Sequence, residues 1–138
     1  MYGWQEFFPN SDIFGADIDT GILFNTDKIK TFYCDQRNPD IIKKMWDEPE
    51  LCEAFDIIIE DGQHTFSANV CFFENSIHKL KQNGFFIIED ILCYEEHLFA
   101  TKIKEWEDQY IGYLFTLLKI SSSSNGRDNT LLVVFKSA

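Results

Sequence analysis

Short apolar runs, rich in β-branched and aromatic residues, recur along the chain and predict β-strands. The first four of these runs occupy residues 12–19, 29–35, 55–59 and 85–88. The third run is almost continuously apolar, which predicts a strand covered on both faces within a parallel sheet. Two later runs, 113–120 and 130–136, flank the Ser-rich segment 121–129 and predict a terminal hairpin closed by a long, mobile loop.

Between the strands, apolar residues step by three and four positions, which is the spacing of one face of an α-helix. Three segments show this spacing: residues 39–46, 66–80 and 95–110. Asn38 and Pro39 supply an N-cap and a first helical position for the first segment, and Asn83-Gly84 is expected to stop the second. A shorter aromatic stretch, 4–8, predicts the last turns of a further helix.

This alternation of strands and helices predicts one α/β domain over residues 1–138. The expected architecture is a Rossmann-like three-layer sandwich, with a mostly parallel sheet and an antiparallel C-terminal hairpin. A chain of 138 residues is long enough for one core and too short for a second. Apolar residues make up 45% of the sequence and include 14 Phe, so we expect a Phe-rich core.

The chain carries a formal net charge of −11. Nucleic acids and anionic membranes attract Lys and Arg, so this charge argues against either as a partner and favours a cation. The four cysteines form no C-x-x-C pair, which indicates reduced thiols in a cytoplasmic protein rather than a zinc ribbon or a disulfide framework. The sequence shows no signal peptide or membrane span, and its composition leaves homo-oligomerisation open.

Each of the first four predicted strands ends in acidic residues. They are Asp17 and Asp19, Asp35, Glu60 and Asp61, and Glu89 and Asp90. In open α/β sheets ligands bind beyond the carboxyl ends of the strands, so we expect these side chains at one functional edge. Capping of a turn explains any single acidic residue, whereas the repetition at four strand ends favours a binding site.

Asp61, Glu89 and Asp90 follow two strands that we expect to be neighbours. Parallel strands lie about 4.8 Å apart, so these carboxylates can meet around one ion. Oxygen ligands without Cys or paired His favour magnesium or calcium, and magnesium suits a site that retains waters and a substrate oxygen. His64, three residues after Asp61, is placed to accept a proton from a group that the metal acidifies; a surface histidine in a turn is the alternative.

Two stretches of the sequence carry a resemblance to a known family. "FDIIIEDGQH" and, after a predicted helix, "LKQNGFFIIED" resemble the pattern D-[IL]-I-[IL]-D-D-G-S-H, helix, L-K-x-G-G-x-x-x-I-E-D. This pattern is typical of class I S-adenosylmethionine-dependent methyltransferases, specifically the metal-dependent O-methyltransferases of the macrocin and mycinamicin sugar methyltransferase type. The match is strongest over residues 55–91, and the similarity extends over most of the chain from Trp4 onward.

The resemblance implies roles for the acidic edge. In such enzymes Asp61, Glu89 and Asp90 would hold Mg²⁺, and His64 would act as general base on a substrate hydroxyl. Methyl transfer from a sulfonium needs only a deprotonated oxygen aligned with the methyl group, so a metal and a base suffice for this half of the reaction.

The resemblance also implies a binding site for S-adenosylmethionine at the ends of the first two predicted strands. The implied contacts are Asp17, Asp19, Asp35 and Gln36. Asp17 would bond the cofactor ribose, whereas Asp35 and Gln36 would lie near the adenine. The chain departs from the family in having Gln63 where Ser is usual.

A larger departure concerns the family's first strand and its Glu-x-Gly-x-x-x-Gly turn, which the sequence lacks; the chain is therefore expected to be an N-terminally truncated domain. Two hypotheses follow. The chain is either an S-adenosylmethionine-dependent, metal-assisted O-methyltransferase acting on a hydroxyl of a small molecule or sugar, or an inactive methyltransferase-like remnant that binds metal or a partner protein. A metal-dependent hydrolase or phosphatase of another α/β family is a third alternative.

Overall fold

The computed structural model describes residues 1–121 and 126–137. This part of the chain contains six β-strands: β1 (Ile13–Asp17), β2 (Ile29–Tyr33), β3 (Phe55–Glu60), β4 (Leu80–Ile91), β5 (Tyr113–Lys119) and β6 (Thr130–Lys136). It also contains four α-helices: α1 (Tyr2–Phe7), α2 (Pro39–Trp46), α3 (Phe66–Ser76) and α4 (Glu96–Gln109). Strands β5 and β6 form the predicted hairpin, whereas the predicted mobile loop lies partly outside the described residues, at 122–125.

The strands form two separate sheets. Strands β1 and β2 make a parallel pair, with Ile13 opposite Ile29 and Asp17 opposite Tyr33. The other sheet has the order β3-β4-β6-β5, in which β3 and β4 are parallel and β6 is antiparallel to both of its neighbours. The predicted α/β fold with an antiparallel C-terminal hairpin is thus confirmed. Within the described residues no backbone ladder joins β1 to β3, and this break falls where the resemblance places the family's first strand.

Helices α3 and α4 cover one face of the four-stranded sheet through a cluster of aromatic rings. The Phe73 ring of α3 lies 5.1 Å from Phe86 of β4 and 4.3 Å from Trp106 of α4, measured between centroids. Trp106 in turn stacks on Phe115 of β5 at 5.9 Å. Phe73, Phe86 and Trp106 are fully buried, so the predicted Phe-rich core is observed here. Each such side chain stabilises the fold by roughly 1.5–3 kcal/mol.

The opposite face of this sheet is much less covered. Ile57, Phe85, Phe135 and Leu114 lie in one row across the four strands. The exposed fractions of Ile57, Phe85 and Leu114 are 42%, 42% and 60%. The prediction that β3 is buried on both faces is therefore wrong. Side chains alternate along a strand, so Ile58 faces the helices while Ile57 lies on the other side.

Helix α3 is shorter than its apolar spacing predicts. The helix ends at Ser76, a 3₁₀ turn follows at Ile77–Lys79, and Leu80 already belongs to β4. Gly84 lies within β4, where an added Cβ would approach the carbonyl oxygen of Asp56 to 2.8 Å. The predicted helix stop at this glycine is wrong, because the glycine instead permits a close approach between β4 and β3.

Side chains, rather than a backbone ladder, join the two sheets. The Phe14 ring of β1 meets the Phe55 ring of β3 edge to face at 5.5 Å, and Trp46 of α2 lies 5.4 Å from the same Phe55 ring. At the carboxyl end, the Gln36 side chain after β2 donates a hydrogen bond to Glu60 at the end of β3. This hydrogen bond places the carboxyl end of β2 beside that of β3. Since β1 is parallel to β2 and β4 is parallel to β3, the carboxyl ends of all four strands share one edge, as predicted.

The cysteines are free thiols: Cys34 is buried, Cys71 partly buried, and Cys52 and Cys93 exposed. Burial raises the pKa of the Cys34 thiol to about 11, which keeps it protonated and unreactive at neutral pH. Among the described residues, every helix is too short or too polar to pass through a bilayer.

Candidate metal centre and cofactor edge

Three side chains with ligand atoms converge at the carboxyl ends of β3 and β4. Asp61 directly follows β3, His64 comes three residues later, and Asp90 lies near the end of β4. One ligand atom from each of the three residues lies within 4.8 Å of the others. The parallel register, with Glu60 opposite Ile88, brings these residues together although they are far apart in the sequence.

The backbone of this cluster is unusual at two positions. His64 and Asp90 have φ angles of 53° and 52°, in the left-handed region that non-glycine residues seldom adopt. In the described part of the chain, Asn83 is the other non-glycine residue with positive φ. Such conformations are unfavourable by roughly 1–3 kcal/mol and concentrate at functional sites, where the surrounding structure enforces them. At His64 and Asp90 this conformation coincides with the side-chain cluster, whereas Asn83 adopts it outside the cluster.

Negative charge is concentrated at the cluster. Burial raises the pKa of Glu89, and the charges of Asp61 and Asp90 raise it further, against a smaller opposite effect of His64. The Nε2 atom of His64 lies 3.7 Å from Oδ1 of Asp61. The Asp61 side chain is 59% exposed, so an ion can reach it from solvent.

This set of donors fits a hard divalent cation. The carboxylates of Asp61 and Asp90 offer oxygen ligands, and a cation would offset the repulsion between them and Glu89. The structure brings together Asp61 and Asp90 of the predicted ligands, with Glu89 outside the close group. His64, predicted as a base, lies inside it. The Nδ1 atom of His64 is buried and has no hydrogen-bond partner among the described residues.

On the cofactor side, Asp17 and Asp19 shape the turn after β1. The Asp17 carboxylate accepts a hydrogen bond from the Asp19 N–H at 2.8 Å. Asp19 in turn accepts one from the Gly21 N–H at 2.8 Å and thereby caps the 3₁₀ turn Thr20–Ile22. Capping is the ordinary use of acidic residues in turns, and it accounts for Asp19 without a ligand.

Asp35 is held by Arg37 after β2. Its Oδ1 atom accepts hydrogen bonds from the Arg37 backbone N–H at 3.0 Å and from Nε at 2.8 Å, and its Oδ2 atom accepts one from the guanidinium at 2.8 Å. These bonds lower the pKa of Asp35 to about 2. The ends of β1 and β2 are linked by the Cys34 N–H, which donates to the Asp17 carbonyl at 3.0 Å. The structure therefore places Asp17 and Asp35 at neighbouring strand ends, as predicted.

The Gln36 side chain forms no hydrogen bond with its neighbour Asp35. It contacts the segment after β3 that carries Asp61 and His64. Its Nε2 atom donates to Glu60 Oε1 at 2.9 Å, and its Oε1 atom accepts from the Gln63 N–H at 3.0 Å. The sequence interpretation missed this partnership because it treated Glu60 as one more acidic strand end. The alternation of β3 gave no signal for it, since Asp56 and Glu60 both share the face of Ile58 and only Glu60 is buried.

Relatives among curated proteins are sugar-modifying enzymes much longer than this chain. No family model matches it. The 8-demethyl-8-(2-methoxy-alpha-L-rhamnosyl)-tetracenomycin-C 3'-O-methyltransferase of Streptomyces olivaceus is 28% identical over 88 residues, which cover 64% of this chain and 22% of the relative. The chain thus spans about a fifth of the length of the curated relatives that it matches.

Solved structures of methyltransferases share the fold. The MycE methyltransferase of mycinamycin biosynthesis, in complex with Mg and SAH, aligns with a TM-score of 0.65 and 19% identity, over 97% of this chain and 39% of that chain. A ribosomal RNA methyltransferase from Plasmodium falciparum aligns with a TM-score of 0.64 and 15% identity, over 96% and 76% of the two chains. At these identities the likeness shows the fold alone.

Proposed function

We propose that this chain, a homologue of sugar O-methyltransferases with the fold of S-adenosylmethionine-dependent methyltransferases, is the metal-binding part of an enzyme that methylates a hydroxyl group. The cofactors are S-adenosylmethionine and Mg²⁺, and the acceptor is a sugar or another small molecule. One observation carries the proposal: Asp61, His64 and Asp90 converge at the sheet edge where ligands of α/β proteins bind.

Each residue of the cluster has a distinct role in this proposal. Asp61 and Asp90 hold the cation through carboxylate oxygens, whereas Glu89 lies outside the close group and adds negative charge nearby. When bound, the cation supplies Lewis acidity that favours deprotonation of the acceptor hydroxyl. His64 accepts the proton as general base, and its strained backbone keeps the imidazole beside Asp61.

The cofactor is assigned to the ends of β1 and β2. Asp17 and Asp35 offer carboxylates for the ribose and the adenine side, as the resemblance implies. No pair of glycines in the sequence has the G-x-G or G-x-x-x-G spacing that would let the backbone approach the methionine end of the cofactor. We therefore assign to this chain the nucleoside contacts but not the methionine contacts.

The fold does not decide the acceptor, because a ribosomal RNA methyltransferase and a sugar methyltransferase resemble the chain almost equally. The net charge of −11 and the sequence relatives favour a sugar or another small molecule over RNA. The charge likewise disfavours an anionic membrane as a partner.

The second candidate is a remnant that binds metal or a partner protein without catalysis. Within the described residues no backbone ladder joins β1 to β3, which supports this candidate because a groove left open at that point holds a cofactor poorly. Binding of the nucleoside half and of the methionine half of the cofactor distinguishes the enzyme from the remnant.

Calorimetric titration with S-adenosylmethionine and with adenosine, each in the presence of Mg²⁺, tests the assignment of the cofactor. The nucleoside contacts alone should give weak binding that discriminates poorly between the two ligands. Loss of two or three hydrogen bonds to charged groups, at roughly 1.5–3 kcal/mol each, lowers affinity by several orders of magnitude. Tight binding that depends on the methionine half would show that another segment supplies the methionine contacts. If neither ligand binds, the result favours the remnant.

A further inference from the structure

The side chain of Gln36 bridges the two sheets at the edge where the cluster lies. Its amide nitrogen donates to Glu60, and its amide oxygen accepts from the backbone of Gln63. Only an amide of this length does both, because a carboxylate would not donate to Glu60 and a methionine would do neither. Both polar atoms of the Gln36 side chain are thus engaged with the segment that follows β3.

Glu60 anchors this bridge, because it is buried and accepts hydrogen bonds from both sides. The residue is only 4% exposed, and its Oε1 atom accepts hydrogen bonds from Gln36 and from the Gly62 N–H at 3.0 Å. Its Oε2 atom is buried without a hydrogen-bond partner among the described residues. Loss of a hydrogen-bond donor to a buried carboxylate destabilises the fold. The Gln36 amide and the Gly62 N–H are therefore expected to stay bonded to Glu60.

Gly62 shows how close the bridge lies to the backbone. A Cβ atom added at Gly62 would lie 1.6 Å from Oε1 of Gln36 and 3.1 Å from Oε1 of Glu60. No residue with a side chain fits there while Gln36 keeps its place. A side chain at position 62 would therefore displace the amide of Gln36, which lies against the backbone between Asp61 and His64.

We propose that Gln36 is a positioning residue that fixes the loop 61–64, and with it the geometry of Asp61 and His64, rather than a contact of the adenine. This inference rests on the proposed function, because it concerns the metal of that site. The bridge fixes the backbone at Gly62 and Gln63, the two residues that lie between Asp61 and His64. Residues that orient metal ligands through hydrogen bonds typically alter metal affinity 10- to 100-fold when they are replaced.

Manganese affinity provides the first test. In Gln36→Met, which keeps the length of the side chain and removes its polar atoms, Mn²⁺ affinity measured by titration should fall by about 10- to 100-fold. The matched control, Gln109→Met on the exposed end of α4, should bind Mn²⁺ like the wild type. Adenosine affinity should be equal in all three proteins. Unchanged Mn²⁺ affinity in Gln36→Met, or a selective loss of adenosine binding, would overturn the proposal.

A double-mutant cycle tests the bridge without reference to metal. Gly62→Ala should destabilise the wild-type chain in urea unfolding, because Gln36 must move and give up its hydrogen bonds to Glu60 and Gln63, and should do so much less in the Gln36→Ala background, where the amide is absent. Equal effects of Gly62→Ala in the two backgrounds would refute the contact. Asp90→Asn separates this proposal from the function on which it rests. If it abolishes Mn²⁺ binding while Gln36→Met does not weaken it, only the positioning role fails; if the wild type binds no Mn²⁺, both fail.

Discussion

The two halves of the carboxyl edge use acidic residues in opposite ways. After β2, hydrogen bonds from Arg37 lower the pKa of Asp35 to about 2, so the protein itself compensates this carboxylate. After β3 and β4, burial and the neighbouring charges of Asp61 and Asp90 raise the pKa of Glu89. The fold stabilises the negative charge at one end of the edge and concentrates it at the other.

This difference separates acidic residues that the fold explains from those that indicate a ligand. Asp19 and Asp35 complete local turns through hydrogen bonds from nearby N–H groups. Asp61 and Asp90 instead lie together with His64, two of the three in left-handed backbone conformations. The four acidic strand ends, similar in the sequence, are therefore two kinds of feature.

The largest expected effect concerns turnover. In a preparation that transfers methyl groups, His64→Asn should lower turnover by roughly 10²- to 10⁴-fold through loss of the general base. Asn tolerates the left-handed backbone, so the loop should keep its conformation. Steady-state kinetics should show the loss in kcat, with cofactor affinity nearly unchanged. Turnover equal to the wild type would make His64 an ordinary turn residue. The strand ends after β3 and β4 would then resemble those after β1 and β2, where side chains serve local turns.

Metal-dependent stability gives the next largest effect. Magnesium or manganese at about 100 times its Kd should stabilise the wild type by about 2.7 kcal/mol, and Asp61→Asn and Asp90→Asn should abolish this gain in thermal melts. Asp19→Asn is the matched control, because Asn caps a turn as well as Asp does. Without metal, Asp90→Asn should leave stability unchanged or raised, since it relieves repulsion. An equal response of all three variants to the metal would place the ion elsewhere.

The smallest effect concerns acid unfolding. The pKa of Asp35 is lowered from 3.8 to about 2, so its contribution to stability is complete above pH 3.8 and is lost as the pH falls towards 2. Asp35→Asn removes this contribution. Urea unfolding between pH 5 and pH 2 should therefore show a shallower loss of stability in the variant than in the wild type. Parallel profiles would mean that the Arg37 contacts contribute nothing, as many exposed ion pairs do.

Local patterns in the sequence predicted most elements and the family resemblance, which the relatives and the fold confirm. Asn38 caps α2 as expected, because its side chain bonds the next N–H groups whatever the tertiary context. The exposed face of β3 could not be predicted, because apolar residues on both faces do not reveal which face a helix covers. The proximity of Asp61 and Asp90 was predictable from parallel pairing, whereas the left-handed backbone at both His64 and Asp90 was not.

The role of Gln36 shows the limit of reading a site from motifs. The resemblance places this residue near the adenine, but its hydrogen bonds cross a break in the sheet that no local pattern reveals. A position inherited from a family specifies where a residue lies along the chain. The partner of its side chain depends on what packs beside it.

In the part of the chain that the structure describes, the lack of a backbone ladder between β1 and β3 also affects cooperativity. Backbone hydrogen bonds normally make neighbouring strands open together, whereas here Phe14 and Gln36 are among the side-chain contacts that link the pair β1–β2 to the larger sheet. For this chain by itself we therefore expect the amides of β1 and β2 to exchange hydrogen through an opening below the free energy of global unfolding. Such an opening would separate Gln36 from Glu60 and expose this buried carboxylate to water, so we expect the loop 61–64 to lose order whenever the pair opens.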